Sequence, residues 1–150
     1  MKVIEYFTSE NKEHWKEQIA LADWSAAKFL LKLLNNTQKF DELLGGDGKL
    51  FFLLDGENIV SFVTLTRQDC IRDENMFPWL GFLYTYSAYR GNRYSEKLLK
   101  YAEEQVISDA HPIVYLATDH IGLYEKYGYT YLETRKDYLD EDTRIYYKKL

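Results

Sequence analysis

The chain has 150 residues, 46% hydrophobic and 17% aromatic, which is enough material for one domain with a sizeable core spanning residues 1–150. Its 24 acidic and 19 basic residues give a net charge of −5, which argues against nucleic acid as a partner while leaving room for a local basic pocket. The lone Cys70 excludes an internal disulfide, and no apolar run approaches a membrane span or the h-region of a signal peptide, so no membrane partner and a cytoplasmic location are expected.

Lys2–Phe7 alternates loosely and reads as a first strand. Ser9 or Asn11 can cap a helix with the apolar stripe Trp15, Ile19 and Ala22. Asp23-Trp24-Ser25 interrupts that stripe, and Ser25 can cap a second helix with Ala26, Phe29, Leu30, Leu33 and Leu34 on one face; Asn35-Asn36 weaken it and Gly45-Gly46 end it near Leu44. Lys49–Leu54 and Asn58–Thr66 are β-rich runs joined by the hairpin signal Asp55-Gly56-Glu57. Simple alternation in the second run puts Val60 and Phe62 on one face and Ile59, Val63 and Leu65 on the other, as in a strand covered on both sides. Trp79–Tyr86 is a further strand, followed by a loop and an amphipathic helix with Tyr94, Leu98, Tyr101 or Ala102, and Val106 on one face. Ile113–Ala117 is a short apolar strand, and Asp119 can cap a brief helix, Ile121–Tyr127, that Gly128 stops. Tyr129–Tyr138 and Thr143–Lys149 close the chain as two strands paired across Leu139–Asp142. The order predicts a mixed α/β layer fold.

The strand–loop–helix unit at Gly81–Gln105 carries the clearest chemical signal. A strand feeding a tight loop and a helix presents unpaired backbone N–H groups at the helix start, and these with the helix dipole make an anion site suited to phosphates. Arg90 and Arg93 add donors and charge. An ordinary connection with solvated arginines is the competing reading of that spacing.

Leu83-Tyr84-Thr85, then Tyr89-Arg90-Gly91 and Leu98-Leu99, resemble the central motif of the GNAT family of N-acetyltransferases. In that family a strand runs into a pyrophosphate loop of the form Arg/Gln-x-x-Gly-x-Gly/Ala. Arg90 matches its first position, Arg93 stands where glycine is usual, and Ser95 where glycine or alanine is usual. Ile121-Gly122-Leu123-Tyr124-Glu125-Lys126-Tyr127-Gly128-Tyr129 resembles the family's later aromatic-Tyr-Glu-Lys-x-Gly-Phe motif, without the asparagine usual a few residues upstream.

The resemblance implies a GNAT-like fold, with a central mixed and largely antiparallel sheet of about seven strands flanked by four helices. It implies acetyl-CoA as co-substrate, no metal, and direct attack of a primary amine on the thioester. Leu83, Tyr84, Thr85, Arg90, Gly91, Asn92, Arg93, Tyr94, Ser95 and Glu96 would bind the cofactor, its arm lying along Leu83–Thr85 beside Ile113–Ala117, with an oxyanion donor near Tyr84 or Thr85. Tyr124 would protonate the departing thiolate, although a packing role is a serious competitor in a chain with 14 tyrosines. Asp23 and Trp24 stand at a helix junction that lines the acceptor site in relatives, and His120 sits beside the motif as a candidate relay. Asp69, Asp73 and Glu74 precede the strand at Trp79, where relatives often place a carboxylate or a water chain; each also reads as a solvated loop charge. The acceptor would be an amine of a small molecule, peptide or protein, and a homodimer is plausible by family analogy. A non-catalytic acyl-CoA-binding or regulatory module of the same fold is the alternative.

Overall fold

A computed structural model describes residues 1–150. Seven strands form one sheet: β1 (Lys2–Glu5), β2 (Lys49–Asp55), β3 (Asn58–Thr66), β4 (Trp79–Thr85), β5 (Ile113–Thr118), β6 (Thr130–Lys136) and β7 (Asp142–Lys149), in the order β1-β2-β3-β4-β5-β7-β6. Only β4 and β5 pair in parallel. Helices α1 (Lys12–Ala20), α2 (Ser25–Leu34) and α3 (Thr37–Leu44) cover one face, where Leu30, Leu33 and Phe40 pack on Leu50, Phe52 and Phe62. Helix α4 (Tyr94–Ser108) covers the other, with Leu98, Leu99, Ala102 and Val106 packed on Phe51, Leu53, Val63 and Val114. Alternating apolar side chains on β2 serve both cores, which is why that strand reads as a continuous hydrophobic run.

Three local expectations change. The helix expected from Ser25 to Leu44 breaks at Asn35-Asn36, where the Asn36 side chain accepts from the Lys39 N–H at 3.3 Å and starts α3; two residues that weaken one helix cap the next. Trp24, extended at φ −157°, occupies the position before α2, and Ser25 is that helix's first residue rather than its cap. The helix expected over Ile121–Tyr127 is only a 3-10 turn over Tyr124–Tyr127, closed by Gly128 at φ +90°, with Asp119 outside it.

The faces of β3 also differ from simple alternation. Leu53 stands opposite Ser61 and Leu54 opposite Ile59, so Val60 is an extra, bulged residue. Ile59 and Phe62 therefore face α1–α3, while Val60, Val63 and Leu65 face α4. Both faces are covered, as expected for an inner strand.

A second bulge matters for the site. Phe62 pairs with Tyr84 and Thr64 with Gly81, so Phe82 and Leu83 together oppose Val63, and Phe82 takes φ +50°. Strands β4 and β5 pair only at Trp79–Tyr115 and Leu80–Leu116. Beyond Leu80 they diverge and open a wedge in the middle of the sheet.

Candidate active site

The wedge holds a cavity of about 600 Å³, within the usual range for sites that bind small molecules. It joins the two faces of the sheet. Trp24, Phe82 and Tyr84 line it and belong to the α1–α3 side, whereas Leu83, Leu99 and Tyr124 belong to the α4 side. Along the β5-facing edge, Gly81–Thr85 have no strand partner, so this backbone can pair with an extended ligand. Arg90 occupies part of that edge: its Nε donates to the Thr85 carbonyl at 2.9 Å, and its guanidinium lies 5.4 Å from the Tyr84 ring centroid.

The loop from Thr85 to α4 forms a second cavity of about 290 Å³, lined by Arg90, Gly91, Arg93, Tyr94, Ser95 and Lys126, among others. Gly91 adopts φ +84° with open space where a Cβ would stand, so its requirement is conformational rather than steric. Arg93 occupies the residue before α4 in the left-handed conformation, φ 60° and ψ 29°. It thus keeps the backbone that glycine would supply, at a local penalty of about 1–2 kcal/mol. Its side chain is 71% exposed and turns to an ion pair with Glu96. Arg93 therefore stands on the rim and does not fill the cradle. No side chain caps α4, so its first N–H groups are free for an anion. The fit to a phosphorylated ligand rests on those donors together with Arg90, Arg93 and Lys126 around one cavity.

The remaining loop residues have distinct places. The Asn92 amide donates to the Tyr89 carbonyl at 3.1 Å and steadies the loop. Ser95 lines both cavities, and its hydroxyl lies 3.1 Å from that of Tyr127. Glu96 turns aside: it pairs with Arg93, and with Lys100 at 3.6 Å, and lines a neighbouring cleft.

Tyr124 is 8% exposed, with its ring edge-on to Tyr129 at 6.1 Å. Burial, reinforced by Tyr127, pushes its phenol up to about 12, so it holds its proton throughout the neutral range. Its turn is fixed by a buried network. Glu103 on α4 accepts from the Tyr129 hydroxyl at 2.7 Å and from Lys148 Nζ at 2.9 Å, and Lys148 donates to the Tyr127 carbonyl at 2.9 Å.

Asp23, Trp24 and His120 also reach the larger cavity. Asp23 and His120 are exposed, while Trp24 is half-buried and stacked on Tyr84 at 5.5 Å with 9° between the rings. Asp69 does not line that cavity. Its carboxylate lies behind Gly81 and borders a smaller, mostly apolar cavity of about 220 Å³ between α2, α3 and the turn before β7. Burial pushes Asp69 up to about 6, opposed by the Cys70 N–H and Arg72. The reading of Asp69 as a solvated loop charge is therefore wrong. Asp73 pairs with Arg135 at 2.9 Å, and Glu74 is exposed. Burial and the neighbouring Asp69 raise the Cys70 thiol, which suits a packed sulfur rather than a nucleophile. No group of His, Cys, Asp or Glu is placed to hold a metal.

Lys126, Tyr127 and Gly81 line these cavities, and Glu103 supports the turn beside them, although none is among the residues expected from the sequence. Lys126 and Tyr127 stood inside a recognised motif, and an isolated glycine within a strand marks a bulge or close approach, so three of the four had a usable signal.

A sheet splayed at its one parallel pair, with an uncapped helix start and a basic loop beside the opening, makes one site for a phosphorylated ligand with an extended arm. Residues 9–132 match the family model described as Acetyltransferase (GNAT) domain, and the chain belongs to that family. Solved structures agree in fold. An acetyltransferase from Streptococcus agalactiae 2603 aligns with TM-score 0.67 and 21% identity, over 99% of this chain and 98% of that one. The aminoglycoside 6'-N-acetyltransferase from Enterococcus faecium aligns with TM-score 0.68 and 18% identity, over 99% and 97%. A GNAT family acetyltransferase from Elizabethkingia anophelis, solved with acetyl-CoA bound, aligns with TM-score 0.67 and 13% identity, over 99% and 97%. No curated protein sequence shows significant similarity to the chain.

Proposed function

We propose that this protein is an acetyl-CoA-dependent N-acetyltransferase that acetylates a primary amine of a small molecule or peptide by direct attack on the thioester. The observation that carries the reading is one continuous cavity that runs from the loop at Arg90 and Ser95 to Tyr124, through the gap between β4 and β5. Aminoglycoside acetyltransferases among the solved relatives act on small-molecule amines, which supports that acceptor class.

Acetyl-CoA supplies an acyl group already activated as a thioester, so no acyl-enzyme is needed. Arg90, Lys126 and the N–H groups at the start of α4 hold its phosphates. The unpaired edge of β4 orients the arm and provides an N–H near Tyr84 or Thr85 for the developing oxyanion. Tyr124, buried and protonated, returns a proton to the sulfur. Asp23, Trp24 and Tyr84 form the acceptor's entrance on the opposite side of the sheet.

The test is release of free thiol from acetyl-CoA with a panel of primary amines. Amine-dependent release with a matching N-acetylated product supports the reading. Tight acetyl-CoA binding without turnover on any amine would replace it with a non-catalytic acyl-CoA-binding module.

A further inference from the structure

Two aromatic residues on the proposed acceptor side hold backbone positions that do not suit them. Trp24 occupies the residue before α2, where a side-chain oxygen commonly satisfies a free N–H of the first turn, and its indole makes no such bond. Asp23, one residue earlier, has the side chain suited to that role. Phe82 takes φ +50° in the β4 bulge, the left-handed region that a bulky side chain enters only at a penalty. Both line the larger cavity. Residues that oppose local backbone preference are expected where they serve a site.

Together they form a supported aromatic wall. The Trp24 N–H donates to the Ala22 carbonyl at 3.0 Å, and its carbonyl accepts from the Ala27 N–H at 3.1 Å. Its indole lies parallel to the Tyr84 ring. Tyr84 in turn meets Phe62 at 5.6 Å and Tyr86 edge-on at 5.1 Å, and its carbonyl accepts from the Ser61 hydroxyl at 2.7 Å. Phe82 stacks on Phe29 of α2 at 6.4 Å. Trp24, Phe82 and Tyr84 are each only half-buried, so ring surface is left for a guest. A surface already fixed by its own contacts receives a flat apolar group at little ordering cost.

The charge of the cavity is as restricted as its shape. Asp23 is its only carboxylate, Arg90 brings a fixed positive charge, and His120 adds no negative one. Asp69 and Asp137 border the smaller cavity, which shares Phe82 as a wall. Asp69 is enclosed there, and the Asp137 carboxylate accepts from the Leu139 and Glu141 N–H groups at 2.8 and 3.0 Å. A guest with several ammonium groups would leave all but one without a counter-charge, and an unpaired charge taken out of water is costly. Resting on the proposed transferase activity, we propose that the acceptor is an arylalkylamine: one primary amine on a short chain from a flat aromatic ring, with the ring seated against Trp24, Tyr84 and Phe82. Asp23 at the exposed mouth draws in its single ammonium. The reaction forms one carbon–nitrogen bond and breaks the carbon–sulfur bond. The ammonium gives up two protons, one ending on the CoA sulfur and one in solvent.

The experiment measures kcat/KM by thiol release at saturating acetyl-CoA for phenylethylamine, ethylamine, spermidine and the aminoglycoside kanamycin, in wild type, Trp24→Ala and Trp24→Phe. Wild type should favour phenylethylamine over ethylamine about 100-fold, and over both polycations by about as much or more. Trp24→Ala should cut the ratio of phenylethylamine to ethylamine about tenfold, through KM more than kcat, and Trp24→Phe should keep most of it. Spermidine or kanamycin turned over as well as phenylethylamine, or a wild-type ratio of phenylethylamine to ethylamine near one, would overturn the inference and leave the transferase reading standing. An unchanged ratio in Trp24→Ala would overturn it as well. No thiol release with any primary amine would overturn both readings. Should Trp24→Ala fail to fold, the wild-type ratios alone uphold or overturn the inference.

Discussion

Glu103 offers a direct measure of how the fold holds the turn bearing Tyr124. It is 7% exposed on α4, and it accepts from the Tyr129 hydroxyl at 2.7 Å and the Lys148 ammonium at 2.9 Å. Glu103→Ala leaves the buried Tyr129 hydroxyl without an acceptor, a loss of about 1.5–3 kcal/mol for a hydrogen bond to a charged group. Lys148 keeps the Tyr127 carbonyl and its side chain is 25% exposed, so its share is smaller, about 1 kcal/mol. The sum is about 3 kcal/mol, which in a chain of this length lowers Tm by about 6–12 °C. Urea and thermal unfolding read this directly. In a Tyr129→Phe background the same substitution should cost about 1.5–2 kcal/mol less, because the stranded donor is gone. A loss below about 1 kcal/mol in the wild-type background would refute the view that this network fixes the turn.

Three further outcomes follow from the site. Tyr124→Phe should lower kcat about 100-fold with acetyl-CoA affinity unchanged, as measured by thiol release and calorimetry; a wild-type rate would remove Tyr124 from proton transfer. Arg90→Ala should weaken acetyl-CoA binding about 10- to 100-fold, the worth of a charge-assisted hydrogen bond, with a smaller effect on kcat. Asp69 titrates near 6 in the folded chain against 3.8 ordinarily, a gap of about 3 kcal/mol. The folded state therefore binds a proton more readily than the unfolded one, so stability falls as pH rises from about 4 to about 6 and stays lowered above that. Asp69→Asn should be the more stable protein at pH 8 in urea melts, with the difference vanishing toward pH 4.

What the sequence made legible depended on signals confined to short segments. Asp55-Gly56-Glu57 gave the β2–β3 hairpin, and the run from Trp79 through Arg90 to Val106 gave β4, the basic loop and α4. Features set by pairing between distant segments were hidden. The bulge at Val60 exists only because Leu53 and Leu54 choose Ser61 and Ile59 as partners, and it moves Val60 to the α4 face. Asp69 looked solvated because its neighbours in sequence are polar, whereas its carboxylate is enclosed by Gly81 and Thr64 from two strands. Arg93 stands where the family pattern has glycine, yet it takes φ 60°, a left-handed backbone that glycine adopts without penalty. Glu103 was missed because a charged residue within a helix is assumed to face water; its partners lie 26 and 45 residues away.

The measurement that bears most directly on the account is calorimetric titration of the wild-type chain with acetyl-CoA, alongside Arg90→Ala. The account predicts saturable binding of one acetyl-CoA per chain, clearly weakened in Arg90→Ala. No detectable heat at millimolar acetyl-CoA, or equal affinity in the two proteins, would contradict the assignment of the loop at Arg90–Ser95 as the phosphate site.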